Sequence, residues 1–216
     1  MMRFTRTWCS IICLLVTGFT FATDRSREIL QKTQQAFDVD TPLIAHFSLI
    51  EKDAATQSQL HTHGSFIISK ERFILDLPDT KTWFDGTTLW TLMKQHQEVN
   101  VSTPSPQETI SMHPATLIGI YQHGYDHHYK GNTDMLQKKQ TQHIVLTTAN
   151  PQAPFSQIDL WIDAATYFPV QIDLKMPNNQ NQTIIFTHIK YDNDRKETDF
   201  TFPTSNYKDV DIIDLR

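Results

Sequence analysis

The sequence predicts a mainly β (α+β) fold: a strongly curved antiparallel sheet forming an unclosed barrel, with helices on its concave side as a lid. Three observations lead there. From residue 43 onward, apolar side chains alternate with polar ones in segment after segment, the period of a strand with one buried face. Pro, Gly, Asn and Asp separate these segments at short intervals, which suits antiparallel neighbours joined by turns. Only two stretches have a helical period, and neither is a long crossover of the kind parallel strands require. Roughly ten strands in one sheet accumulate twist, so the sheet must curl, split or close.

The first 22 residues are set apart from the rest. Arg3 and Arg6 precede a mostly apolar run from Trp8 to Phe21, and a small residue, Ala22, follows. This is the pattern of a secretory signal peptide with cleavage after Ala22. The run is shorter than the ~20 apolar residues of a membrane span, and Asp24, Arg25, Arg27 and Glu28 follow it. Residues 23–216 are therefore expected to be one exported, periplasmic domain without a membrane anchor. The 194 residues that remain suit one core. Cys9 and Cys13 both leave with the signal, so no disulfide, thiol nucleophile or cysteine-held metal is expected. Losing two of 19 basic residues leaves 17 against 24 acidic ones, a formal charge of −7. Taken over the whole chain, that balance argues against a nucleic-acid partner and against an electrostatic grip on anionic lipid.

Along the chain, Ile29, Thr33 and Phe37 recur every fourth residue, with Leu30 and Ala36 beside them, which predicts an amphipathic helix over 24–37. Pro42 ends that pattern. Ala45, Phe47 and Leu49 then alternate with His46 and Ser48, followed by Phe66 and Ile68, and by Phe73, Leu75 and Leu77. Asp85-Gly86 between Trp83-Phe84 and Leu89-Trp90 predicts a hairpin. Pro104 and Pro106 interrupt the sheet. Ser111 and Pro114 can open a second helix with Leu117, Ile118 and Tyr121 on its apolar face, and Gly124 can end it. Strand patterns return with Ile144 and Leu146, with Ile158, Leu160 and Ile162, with Val170, Ile172, Leu174 and Met176, and with Ile184 and Phe186.

Signals for chemistry are sparse. Glycines 64, 86, 119, 124 and 131 form no phosphate-cradling loop and no nucleophile elbow. His61-x-His63 would share one side of a strand, and His123-x-x-x-His127-His128 follows a helix end. Neither has a third ligand at a diagnostic spacing, so both read as solvated positions, and no metal or other cofactor is expected. The carboxylate pairs Asp76/Asp79, Asp159/Asp163 and Asp209/Asp211 read as soluble outer-face or loop charges rather than an acid and base. Strand parity selects Phe47, Leu49, Phe66, Ile68, Phe73, Leu75, Trp90, Leu92, Ile144, Ile172 and Phe186 for the inward face, either as ordinary core or as the wall of a cavity for an apolar ligand.

The order of short motifs resembles the periplasmic lipoprotein carrier proteins of the LolA type. An amphipathic N-terminal helix precedes His46-Phe47-Ser48, a strand led by Gly64 with Phe66, and the basic and aromatic Lys70-Glu71-Arg72-Phe73. The most specific piece is Phe84-Asp85-Gly86-Thr87-Thr88-Leu89-Trp90. His113-Pro114 through Ile120, Leu160-Trp161-Ile162-Asp163 with Thr166 to Pro169, and Phe200-Thr201-Phe202-Pro203 with Val210-Asp211 follow in the family's order. The family's third-strand Arg-Pro is replaced by Lys70-Glu71, with Arg72 two residues on. The resemblance implies a carrier that shields acylated lipoproteins on their way from an inner-membrane ABC-type exporter to the outer membrane, where an acceptor is a further candidate partner; the lack of a catalytic constellation predicts a non-enzymatic protein, and the need to diffuse a monomer. It also implies a lid, for which Ile29, Leu30, Phe37, Leu117, Ile118 and Tyr121 are the candidates, and a latch at Lys70 or Arg72. A lipid- or lipoprotein-sensing regulatory module on the same half-barrel is the alternative reading, and a lipid or peptidoglycan hydrolase a more distant one.

Overall fold

The computed structural model describes residues 20–37, 40–53, 56–105, 108–109, 119–120, 124–176 and 180–216. Helix α1 spans Thr20–Phe37. Strands β1 (Leu43–Asp53), β2 (Gln59–Ser69), β3 (Arg72–Asp76), β4 (Thr80–Phe84), β5 (Leu89–Met93) and β6 (Glu98–Ser102) form one meander. Strands β7 (Asp126–Leu136), β8 (Lys139–Thr147), β9 (Gln157–Asp163), β10 (Pro169–Lys175) and β11 (Gln180–Tyr191) form a second, and β12 (Asp211–Asp214) ends the chain. The two meanders meet where β1 pairs with β11 along its whole length, from Leu43↔Tyr191 to Asp53↔Gln180. One twelve-stranded sheet results, in the order β12-β6-β5-β4-β3-β2-β1-β11-β10-β9-β8-β7. β12 and β7 are its two edges, and they do not pair, so the barrel is unclosed. Every pairing is antiparallel except β12 on β6.

Register explains the curvature. Irregularities at His46/Phe47, Pro169/Gln171, Tyr129/Gly131 and Thr133/Leu136 bend the strands that carry them. The Asp85-Gly86 hairpin forms as expected, with Phe84 opposite Leu89. The Asp85 carboxylate accepts hydrogen bonds from the N–H groups of Thr87 and Thr88, both at 2.8 Å, while Gly86 takes φ +101°. Asp85 is thus a turn residue.

Residues directly opposite one another in a sheet share a face, which assigns the two sides without ambiguity. One row runs Leu43–Ile68–Phe73–Phe84–Leu89 across β1 to β5. Another runs Leu49–Ile184–Ile172–Leu160–Ile144–Tyr129 from β1 to β7. Both face α1. The opposite, outer face carries Ile44–Ile67–Ile74–Trp83–Trp90–Val101. The β3–β6 part of that outer face is itself a small core, because Phe200 and Phe202 of the C-terminal segment pack on Ile74, Trp83, Leu92, Val99 and Val101. Trp83 makes edge contacts with Phe202 and Tyr207 at 5.3 and 5.9 Å.

The sequence signals missed β6, β7, the N-terminal half of β2 and β12. β7 and β12 are edges with no regular apolar alternation to betray them.

Candidate functional site

Helix α1 lies across the concave face because Ser26, Ile29, Leu30, Thr33 and Phe37 form one stripe down its length, and all five are buried. Ser26 was not anticipated; its hydroxyl shares a 2.7 Å hydrogen bond with Nδ1 of His127 on β7. Burial holds the His127 imidazole below the ordinary histidine range, reinforced by the charges of Arg27 and His128 and opposed by Asp126. The Arg25 guanidinium sits 4.8 Å from the centre of the Tyr129 ring, a cation–π contact at the same edge of the sheet. Lys32 pairs with Glu28 at 2.6 Å and donates to the Tyr167 hydroxyl at 3.2 Å. At the helix C-terminus, Phe37 meets the edge of Phe168 at 5.6 Å.

Two zones follow on the inner face. Beneath α1, Phe47, Ile144, Ile172 and Phe186 are buried with Ile29 and Leu30, and Ile68 and Phe73 are buried with Phe37. Beside that sealed zone, Leu49, Phe66, Leu75, Leu77, Met176 and Ile184 are only half-buried against the same cluster. Phe47 and Phe66 touch across the boundary, with ring centres 5.4 Å apart. Gly64 stands opposite Phe47, and a Cβ there would lie 2.6 Å from the Phe47 ring, 2.8 Å from a Leu77 methyl and 2.9 Å from the Asp76 carbonyl oxygen. The ring therefore rests on bare backbone. At the rim, the Gln182 amide donates to Glu51 at 2.8 Å.

Nine of the eleven expected wall residues thus belong to the inner clusters, and two do not. Trp90 and Leu92 point to the outer face, where they pack with the C-terminal segment. The parity choice failed there because β5 has apolar residues on both sides, and Leu89 is the inward one. Of the six lid candidates, Ile29, Leu30 and Phe37 lie on the concave side; Leu117, Ile118 and Tyr121 lie outside the described residues. Of the two latch candidates, Lys70 pairs at 2.5 Å with Asp40, in the connection from α1 to β1. Arg72 is corrected: it lies on the outer side of β3, pairing with Glu197 at 2.8 Å and donating to the Asp85 carbonyl at 3.3 Å.

Among the described residues, the histidines and carboxylates singled out in the sequence lie apart; His123 lies outside the described residues. Strand alternation separates His127, under α1, from the exposed His128. Asp159 pairs with His143 at 2.8 Å, and that imidazole stacks on Trp161 at 4.5 Å, on the outer face. Burial raises the Asp163 carboxyl, but hydrogen bonds from the Ala165 N–H and Lys139 outweigh it and hold the group below the usual range. Among the described residues no three His, Asp or Glu side chains converge as metal ligands. No helix among them is long and apolar enough to cross a membrane.

Comparison with known proteins is informative at two levels. The family model described as outer membrane lipoprotein carrier protein LolA matches residues 16–180. Among solved structures, the chain is similar to an uncharacterized conserved protein from Thermus thermophilus, at 12% identity over 88% of this chain and 99% of that one, with a TM-score of 0.59. A LolA superfamily protein from Nitrosomonas europaea matches at 10% identity over 82% and 97%, TM-score 0.44. MucB of Pseudomonas aeruginosa, in a complex with MucA, matches at 11% over 83% and 62%, TM-score 0.42. No curated protein matches. The likeness to the Thermus protein is one of fold.

Proposed function

The chain belongs to the outer membrane lipoprotein carrier protein LolA family, and from that premise we propose that it shelters the acyl chains of lipoproteins against its concave face while they cross the periplasm. The donor is an inner-membrane ABC-type exporter and the destination the outer membrane. In this reading residues 1–22 are removed on export, and the buried stripe of α1, which begins at Ser26, is left whole.

The observation that carries the proposal is the half-buried apolar zone of Leu49, Phe66, Leu75, Leu77, Met176 and Ile184 beside the part that α1 covers. A chain of about a dozen methylenes gains roughly 10 kcal/mol on leaving water, at about 0.8 kcal/mol each. Unshielded transfer is therefore slow. A carrier must also let go. Ile29, Leu30 and Phe37 are buried at about 2 kcal/mol each, so cargo that displaces α1 forfeits on the order of 6 kcal/mol, and release recovers it. Loading and unloading are then within a few kcal/mol of balance.

Release of an acylated lipoprotein from inner-membrane vesicles tests this. Wild-type protein is expected to extract it, and Ile29→Asp and Phe37→Asp to change the yield several-fold; unchanged yield in both, with folding verified by circular dichroism, rejects the lid assignment. Failure of the wild type to extract any lipoprotein rejects the carrier reading itself.

A further inference from the structure

The outer face of the three central strands has a composition unlike the rest of the molecule. The outward positions are Ile44, His46, Ser48, Ile50 and Lys52 on β1. On β2 they are Gln59, His61, His63, Ser65 and Ile67, and on β11 Asn181, Thr183, Ile185, His188 and Lys190. None is acidic, in a chain with 24 acidic residues against 19 basic ones. Four are histidines and two are lysines, and all six are exposed.

The histidines are arranged as a band across the sheet. His46 and His188 are direct cross-strand neighbours, with ring centres 6.3 Å apart at 83°. His63 stands opposite Ser48 and shares a 2.9 Å hydrogen bond with its hydroxyl; His61 stands opposite Ile50 and bonds Gln59 at 2.7 Å. Among the described residues, none of the four has a carboxylate partner of the kind His143 has in Asp159. The flanking strands contribute Arg72 and Asp76 from β3, and Asp173 and Lys175 from β10. Asp76 is neutralised by Lys94 at 2.7 Å and Lys81 at 3.1 Å, and Asp173 accepts from Gln171 at 2.9 Å.

We propose that this band is a proton-gated docking surface for an anionic phospholipid bilayer, formed by His46, His61, His63 and His188 between Lys52 and Lys190. Histidine is the side chain whose charge ordinarily changes between pH 5 and 8. Near neutrality the face carries two lysines. In mild acid it gains up to four further cations, with Ile50 and Ile185 half-buried among them. A bilayer matches this better than a small anion, because the six exposed side chains are spread over three neighbouring strands instead of converging on one point. Each cation held close to an anionic membrane is worth about 1 kcal/mol, or about fivefold. Three or four charges then strengthen partitioning on the order of a hundredfold. The face lies on the opposite side of the sheet from the lipid-facing zone, so docking leaves that zone unobstructed.

Co-sedimentation of the mature protein with vesicles of phosphatidylglycerol and phosphatidylcholine, at about pH 5.5 and about pH 7.5, tests this without any acylated cargo and so independently of the carrier reading. Partitioning on the order of a hundredfold stronger at the lower pH is expected, and it should vanish on pure phosphatidylcholine and weaken with salt. H46Q/H61Q/H63Q/H188Q should lose most of the gain. H46K/H63K/H188K should bind at both pH values, which guards against a loss caused by misfolding. Equal binding at the two pH values by the wild type, a gain retained by the glutamine variant, or binding to phosphatidylcholine alone overturns the proposal.

Discussion

Gly64→Ala probes how the inner face is built. The added Cβ would sit 2.6 Å from the Phe47 ring, 2.8 Å from a Leu77 methyl and 2.9 Å from the Asp76 carbonyl oxygen. All three are closer than real Cβ contacts. The Leu77 methyl is the end of a flexible side chain and can move, but Phe47 is buried and held against Phe66 and Phe186, and the Asp76 carbonyl belongs to β3. Overpacking of this kind costs about 1–3 kcal/mol, and contact with both a ring and backbone argues for the upper half of that range. With a urea m-value of about 2 kcal/mol/M for a domain this size, the unfolding midpoint should fall by about 1 M. Adding Phe47→Leu removes one of the three contacts, so G64A/F47L should lose less than the sum of the two single changes. The readout is urea denaturation followed by tryptophan fluorescence. A loss below about 0.5 kcal/mol, or strict additivity of the double variant, would show that Phe47 does not rest on the Gly64 backbone and would refute the register drawn between β1 and β2.

Two further measurements address other parts of the molecule. Asp163 has a folded pKa below its unfolded value of about 3.9, so its stabilisation is complete above that value and is lost as pH falls through the folded pKa. Asp163→Ala should therefore cost about 1–3 kcal/mol at pH 7 by urea denaturation, and its gap from wild type should narrow below about pH 4; a gap independent of pH contradicts this. Phe202→Ala opens the outer cluster against Trp83 and Tyr207. It should lower stability by about 3 kcal/mol and shift tryptophan fluorescence while leaving lipoprotein release per folded molecule unchanged; reduced release would place the C-terminal segment in the transport site.

Much of the inner wall was legible in advance because its strands have one apolar and one polar side. β1 alternates Ala45, Phe47 and Leu49 with His46 and Ser48, and β10 alternates Ile172 and Leu174 with Gln171 and Asp173. A period of two then names both the element and its buried face. The helix stripe Ile29, Leu30, Thr33 and Phe37 and the Asp85-Gly86 turn were equally local, since a helical period and a positive φ are properties of a few consecutive residues. β5 was not legible in this sense. Leu89 and Trp90 are adjacent and both apolar, and nothing within the hairpin says which belongs with α1.

What the chain alone determined, then, is where the regularly alternating strands and the N-terminal helix form and which of their side chains travel together on a face. Which face is concave, and what covers the other, was decided only in three dimensions. Phe200 and Phe202 arrive more than a hundred residues after β5 and bury Leu92 and half-bury Trp90 on the outer side, where Glu197 also meets Arg72. The physical reason is that periodicity records differences between neighbouring residues, whereas burial depends on whichever distant segment excludes water from a given side.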